Sequence, residues 1–312
     1  MSQNKRLAPL FGANIDPSAA ERDEPFRRAQ IADQNGLHLI TIQDHPYNMR
    51  FFDTWTLLTT LAMKTERVHV GTNVLSIPLR PPAMLAKMAA TLDILCDGRL
   101  ELGIGAGAYW PGIEAFGVEK RSPWEAVTAF EEALHILRGM WENAGGSFSY
   151  DGEFYRVKGA RPGPAPAHRI RIWTGAYGDR MLDLTGRYAD GILVSSPYLP
   201  PRGLARSNRL IDEGAQKAGR DPSEIRRGYN LMGVLDLDGA DTPLREEKEG
   251  VFYGPVEHWV EEIVHLYQEY RQDTFIFWPN AGNEPLQIEA FAREVVPAAM
   301  QKIRELDGKA KL

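Results

Sequence analysis

The pair Asp44-His45 ends a short β-rich run, His38-Leu39-Ile40-Thr41-Ile42, and Pro46 then forbids the run from continuing as a strand. An imidazole titrates near neutral pH and can give or take a proton, and a neighbouring carboxylate can orient it or hydrogen-bond a ligand. The two residues therefore qualify as catalytic, His45 as proton donor or acceptor and Asp44 as its partner. A plainer reading has both capping the turn, because Asp is common ahead of turns that contain Pro. The other histidines are less eligible. His38 and His69 fall early in candidate strands, and His135, His258 and His265 fall within helical spacing.

Three further stretches could contact a ligand. In LELGIGAGAYWPG, Gly103, Gly105 and Gly107 occupy alternate positions at the end of a candidate strand, which a strand tolerates where a ligand or another backbone approaches closely. The run Gly103-Ile-Gly105-Ala-Gly107-Ala108 also satisfies the dinucleotide pattern G-x-G-x-x-G/A, but Pro111 and Gly112 argue against a helix starting at once, so the next helix is expected only after Ser122-Pro123. Tyr109 and Trp110 follow, and could stack on a planar ring or simply plug a cavity. The small residues Gly175-Ala176-Tyr177-Gly178 precede a candidate helix beginning Asp179-Arg180, where exposed N–H groups and the helix dipole suit a phosphate; alternatively Asp179 caps those groups itself. In Val68-His69-Val70-Gly71-Thr72-Asn73-Val74, Gly71 and Asn73 interrupt an apolar strand, as a bulge facing a ligand would.

Positioning these residues requires a frame of alternating elements. Candidate strands lie near 8–15, 38–43, 67–75, 99–104, 169–174, 191–195, 226–235 and 274–278, separated by segments with apolar spacing near 3.6. Examples of the latter are Leu85/Met88/Leu92/Leu95 and Phe291/Val295/Val296/Met300. Repeated β-α alternation predicts a parallel sheet, and a count of eight closes as a (β/α)8 TIM barrel, with an open doubly wound sheet as the other architecture. The whole of 1–312 is expected to form one domain. Two insertions interrupt the pattern: 143–168, expected to form a hairpin and a Pro-stiffened connection, and the polar excursion 236–256. In a barrel, every strand end named above opens on one face, where active sites sit.

Composition narrows the partners. The chain has 312 residues, 43% apolar and 25% charged, with a net charge of −6 and no basic block, which favours a small-molecule ligand over nucleic acid. Cys96 is the only cysteine, so no intrachain disulfide or cysteine zinc site exists. No metal site is expected. Without a signal-like or membrane-length apolar segment, the expectation is a cytoplasmic protein. Sequence signatures of zinc peptidases (H-E-x-x-H), serine hydrolases (G-x-S-x-G) and P-loops are absent. Phe51, Phe52, Trp55, Leu57, Leu58, Leu61 and Met63 exceed what one outer helix face needs, which suggests a homodimer.

The stretches IQDHPY, TERVHVGTNVLSIPLRPPAMLAKMAATLDILCDGRLELGIGAG and TGAYG…GRYADG resemble the bacterial luciferase-like superfamily of flavin- and deazaflavin-dependent oxidoreductases, from about Ile15 to the last helix. The resemblance implies a TIM barrel with its cofactor, coenzyme F420 or alternatively FMN, at the C-terminal mouth. It implies that Asp44 and His45 face the ring, that Asn73-Val74 forms a non-prolyl cis peptide behind it, that Gly105-Ala106-Gly107 line it, and that Gly175-Ala176-Tyr177-Gly178 take its phosphate. Ala108 stands where the sugar-phosphate dehydrogenase subgroup has an acid, so that activity is not carried over. The expected reaction is hydride transfer between the cofactor and a small organic substrate. The alternatives are an FMN-dependent monooxygenase supplied by a partner reductase and a non-catalytic flavin-binding barrel.

Overall fold

The computed structural model describes residues 6–237 and 250–309. Along the chain these form β1 (Leu10–Asn14), α1 (Glu24–Gln34), β2 (Leu39–Ile42), α2 (Thr54–Lys64), β3 (His69–Thr72), β4 (Leu75–Ser76), α3 (Pro82–Leu95), β5 (Leu100–Gly105), α4 (Trp110–Ala115) and α5 (Pro123–Glu142). There follow β6 (Phe148–Asp151), β7 (Arg156–Ala160), β8 (Arg171–Thr174), α6 (Asp179–Tyr188), β9 (Gly191–Ser195), α7 (Pro201–Lys217) and β10 (Arg226–Leu235). The last elements are β11 (Phe252–Gly254), α8 (Val256–Tyr270), β12 (Thr274–Pro279), α9 (Glu284–Ala290) and α10 (Val296–Lys309).

Eight of these strands pair in the order β1-β2-β3-β5-β8-β9-β10-β12, and β12 pairs with β1, so the sheet closes. Every pairing in the ring is parallel. The barrel strands are buried along almost their whole length, as β5 and β9 show at every position. A strand covered on both faces reads as a continuous apolar run, which is why all eight were legible as such. The main core lies between barrel and helices, while Leu39, Trp173, Leu193 and Ile276 form a separate cluster inside the barrel, with Val74 packed against it.

The 143–168 insertion contains the expected hairpin, β6 against β7, antiparallel. Its turn is held by the buried Glu132 of α5, whose carboxylate accepts the backbone N–H groups of Glu153, Phe154 and Tyr155 at 2.6, 3.0 and 2.9 Å. Residues 238–249, most of the polar excursion, lie outside the described residues. The remainder contains β11, which lies parallel to β10.

Two local expectations are corrected. A helix does start directly after the β5 glycines: α4 tolerates Pro111 because it sits in the first turn, where its missing N–H would have had no intrahelical partner. The spacing at Phe291–Val295 is a π-turn between α9 and α10 in place of α-helix. Among the described residues no helix is long and apolar enough to cross a membrane.

Candidate active site

The third strand breaks where Asn73 was expected to disturb it. β3 ends at Thr72, the Asn73-Val74 peptide is cis, and β4 resumes pairing with β5 two residues later. Val74 fills space that glycines leave. A Cβ at Gly105 would stand 3.0 Å from Val74 Cγ2, one at Gly175 would stand 2.7 Å from the same methyl, and one at Gly103 would overlap the Thr72 carbonyl oxygen. Close packing around the bulge therefore accounts for these three glycines without a ligand. Gly107 differs, because its φ of +93° lies in the left-handed region and its backbone turns the chain away from β5.

The same contacts bring the ends of β3, β5 and β8 to one mouth, and the Asn73 N–H, donating to Ile42 O at 2.7 Å, adds the end of β2. His45 stands there with its ring 5.7 Å from that of Tyr47 and 6.4 Å from that of Phe51, both near parallel. Tyr47 meets Tyr109 edge-on at 5.1 Å, which joins the β2 loop to the β5 loop. Gly112 makes room for both rings, since a Cβ there would lie 2.6 Å from Tyr47 Cγ and 2.7 Å from Tyr109 Cδ1. Ala106 is half-buried and packs against the core, and Ala176 is fully buried.

His45 is exposed, yet desolvation by the surrounding protein pushes its pKa below the ordinary 6.5, with the Asp44 charge pulling the other way. The imidazole is therefore predominantly neutral at pH 7. Burial raises the Tyr47 hydroxyl above its ordinary value, and the charge of Asp44 and the nearby Tyr109 add to this. Tyr177 is raised by burial too, although the hydrogen bond from Ser195 opposes it. Both phenols stay protonated at neutral pH and can donate.

Asp44 does not hydrogen-bond His45. Its Oδ2 accepts from Ser76 N at 2.9 Å and from Arg80 Nη1 at 2.7 Å, and its Oδ1 accepts from Arg80 Nη2 at 3.0 Å. The Asp44 side chain is 0% exposed. The expected orienting bond is thus replaced by a brace between the end of β2 and the segment after the bulge, and His45 is set by its aromatic neighbours.

At the other side of the mouth, α6 begins with Gly178 at its N-cap and no side-chain cap. Asp179 was the alternative candidate for that cap. Instead its carboxylate is drawn onto Arg206 Nη2, at 2.6 and 2.7 Å. That ion pair leaves the first N–H groups of the helix free and offsets the carboxylate that would otherwise repel an anion, so the residues fit a phosphate-bearing group. Tyr177 closes this side, its hydroxyl accepting from Ser195 N at 3.3 Å.

Sequence reasoning missed Tyr47, Arg80 and the polar residues of the barrel lumen. Tyr47 lies within IQDHPYN, but its contact with Tyr109 is a loop-to-loop meeting that spacing does not encode.

Comparison with known proteins agrees with this geometry. The family model of luciferase-like monooxygenases matches residues 10–241. The chain is 34% identical over 212 residues to a 5,10-methylenetetrahydromethanopterin reductase of Methanolobus tindarius, covering 68% of this chain and 61% of that one. It is 36% identical over 178 residues to a phthiodiolone/phenolphthiodiolone dimycocerosates ketoreductase of Mycobacterium tuberculosis, covering 56% of this chain and 45% of that one. It therefore spans only part of each relative's length. In three dimensions it superposes on an F420-dependent secondary alcohol dehydrogenase solved with an F420-acetone adduct, with a TM-score of 0.83, 19% identity, and coverage of 94% of this chain and 99% of that one. A closed parallel barrel with a bulged third strand, matched by the family model over well more than half its length, belongs to the luciferase-like monooxygenase family.

Proposed function

We propose that this chain is an oxidoreductase that holds coenzyme F420 at the barrel mouth and transfers a hydride between it and a small organic substrate. One observation carries the reading: the imidazole that follows β2 and a helix N-terminus without a side-chain cap converge on the same mouth. The proteins it resembles support it: a sequence relative is a 5,10-methylenetetrahydromethanopterin reductase, and an F420-dependent secondary alcohol dehydrogenase shares the fold. When bound, the deazaflavin supplies the two-electron hydride chemistry.

The chain's own residues would bind and protonate. The backbone from Gly175 to Gly178 and the first turn of α6 would take the phosphate. The Asn73-Val74 bulge would support one face of the ring, Gly105-Ala106-Gly107 would border it, and Tyr109 would wall the mouth. His45 would hold or release the proton at its imidazole nitrogen, and Asp44 would act as a positioning residue through the brace to Arg80. The test is fluorescence-quenching titration of the purified chain with F420 and with FMN. Saturable quenching by F420 at micromolar concentration, with weaker FMN binding, is expected. Saturation by FMN alone would overturn the deazaflavin assignment and favour a monooxygenase fed by a reductase.

We infer a homodimer through the outer face of α1 and α2. A groove of about 740 Å³ opens there, lined by Phe26, Phe52 and Leu57 among the charged Arg27, Asp53 and Lys64. Leu57, like Leu58 and Leu61, is itself buried within the chain, so Phe26 and Phe52 supply the exposed apolar surface. A scattering mass of one chain at micromolar concentration would remove this inference. The single cysteine, Cys96, is buried and free, which suits the reducing cytoplasm we assign to the protein.

A further inference from the structure

A run of buried amides and hydroxyls crosses the barrel lumen directly below the mouth. Asn73 of the bulge and Asn230 of β10 bond reciprocally, Nδ2 to Oδ1 at 2.8 Å and Nδ2 to Oδ1 at 3.2 Å. β3 and β10 stand four strands apart in either direction around the ring, so this pair spans the lumen. Beneath it lies the apolar cluster of Leu39, Trp173, Leu193 and Ile276. The pair forms a polar floor.

From Asn73 the run continues toward β2. Asn73 Nδ2 also donates to Thr41 Oγ1 at 3.1 Å, Thr41 Oγ1 donates to Asn14 Oδ1 at 3.2 Å, and Asn14 Nδ2 donates to Gln43 Oε1 at 2.8 Å. In this arrangement the Thr41 proton goes to Asn14 Oδ1, so Asn14 presents its nitrogen to Gln43 and Gln43 presents its oxygen in return. The Gln43 amide is thereby oriented with its nitrogen outward. Gln43 is 4% exposed, and among the described residues its Nε2 has no hydrogen-bond partner, nor is that atom sealed from solvent. It is a pre-set donor two residues before His45, on the lumen side of the β2 end.

We propose that Gln43 is a carbonyl-recognition residue, its Nε2–H donating to a carbonyl oxygen of the ligand seated on the polar floor. The proposal rests on the redox reading above and deepens it. Both a deazaflavin or flavin ring and a ketone substrate carry such an oxygen, and two arms of one experiment separate them. Wild type, Gln43→Leu and Gln43→Glu are titrated with F420 and with FMN by fluorescence quenching, and the F420-loaded proteins are then assayed for KM on a panel of small ketones.

Loss of one neutral hydrogen bond is expected to weaken the interaction about tenfold. If the ring supplies the oxygen, the loss is read in the cofactor Kd of Gln43→Leu. If the substrate supplies it, Kd holds and the ketone KM rises. Gln43→Glu keeps the side-chain size and the bond from Asn14 but presents a carboxylate, so its defect should deepen as pH rises and ease as the acid becomes protonated and can donate. This isosteric variant carries the test even where the leucine variant does not fold. Both variants folded, with wild-type Kd and KM, would overturn the proposal alone. A wild-type chain that binds neither cofactor would overturn the redox reading and this proposal with it.

Discussion

His45→Asn is expected to cut turnover of the F420-loaded protein by about 10²–10⁴-fold, the range for loss of a positioned general acid or base, while cofactor affinity changes little. Asparagine keeps a polar group at the β2 end but cannot carry a proton to or from a substrate. The phosphate contacts assigned to Gly175–Gly178 lie on the far side of the mouth and are untouched, which is why Kd and turnover should separate. A pH profile adds a sign. The imidazole pKa is held below 6.5 by desolvation from the surrounding protein, against the pull of Asp44. In the direction that needs a proton donated, turnover should fall as pH rises through that lowered value; in the reverse direction, which needs the neutral base, it should rise over the same interval. His45→Asn should lose that inflection in both directions. Wild-type turnover in the variant would reduce His45 to a mouth-lining aromatic partner of Tyr47 and Phe51.

What the sequence made legible follows from how each feature is encoded. The eight barrel strands are buried on both faces, so each appears as a local apolar run bounded by turn residues, and the reading recovered all of them. The bulge at Asn73-Val74 was legible because a polar residue broke such a run and the surrounding stretch resembled a family that has a cis peptide there. α4 was lost because Pro111 and Gly112 were taken as breakers, although proline is well suited to a first helical turn. The lumen network was lost for a different reason. Asn14, Thr41, Gln43, Asn73 and Asn230 are isolated polar residues in separate strands, and the Asn73-Asn230 bond joins positions 157 apart. Only closure of the barrel brings them together. The glycines of β5 were read as marking the close approach of a ligand or another backbone, and the neighbour a Cβ would meet is the Thr72 carbonyl at Gly103 and Val74 at Gly105, as it is at Gly175 after β8.

Asp44→Ala carries the largest expected effect on stability, about 3–5 kcal/mol, the cost of leaving one member of a buried ion pair without its partner. Arg80 has 13% side-chain exposure, and Asp44 accepts from both of its terminal nitrogens as well as from Ser76 N. Removing the carboxylate leaves the guanidinium only its long contact to the exposed Asp53 Oδ1 at 3.5 Å and leaves the Ser76 N–H without its acceptor, and the brace between β2 and the segment after the bulge is lost. Asp44→Asn should cost less, since one oxygen remains to accept. Urea unfolding of the cofactor-free protein measures this, and a second substitution tests the cause. Arg80→Leu in the Asp44→Ala background removes the stranded charge and should recover part of the loss, giving a non-additive cycle. If Asp44 instead served the ligand directly, Asp44→Ala would unfold at the wild-type urea concentration and lose cofactor affinity, and the double variant would recover nothing. With its oxygens already engaged inside the protein, the carboxylate should act on the chemistry only by holding the β2 end, and His45 with it, at the mouth.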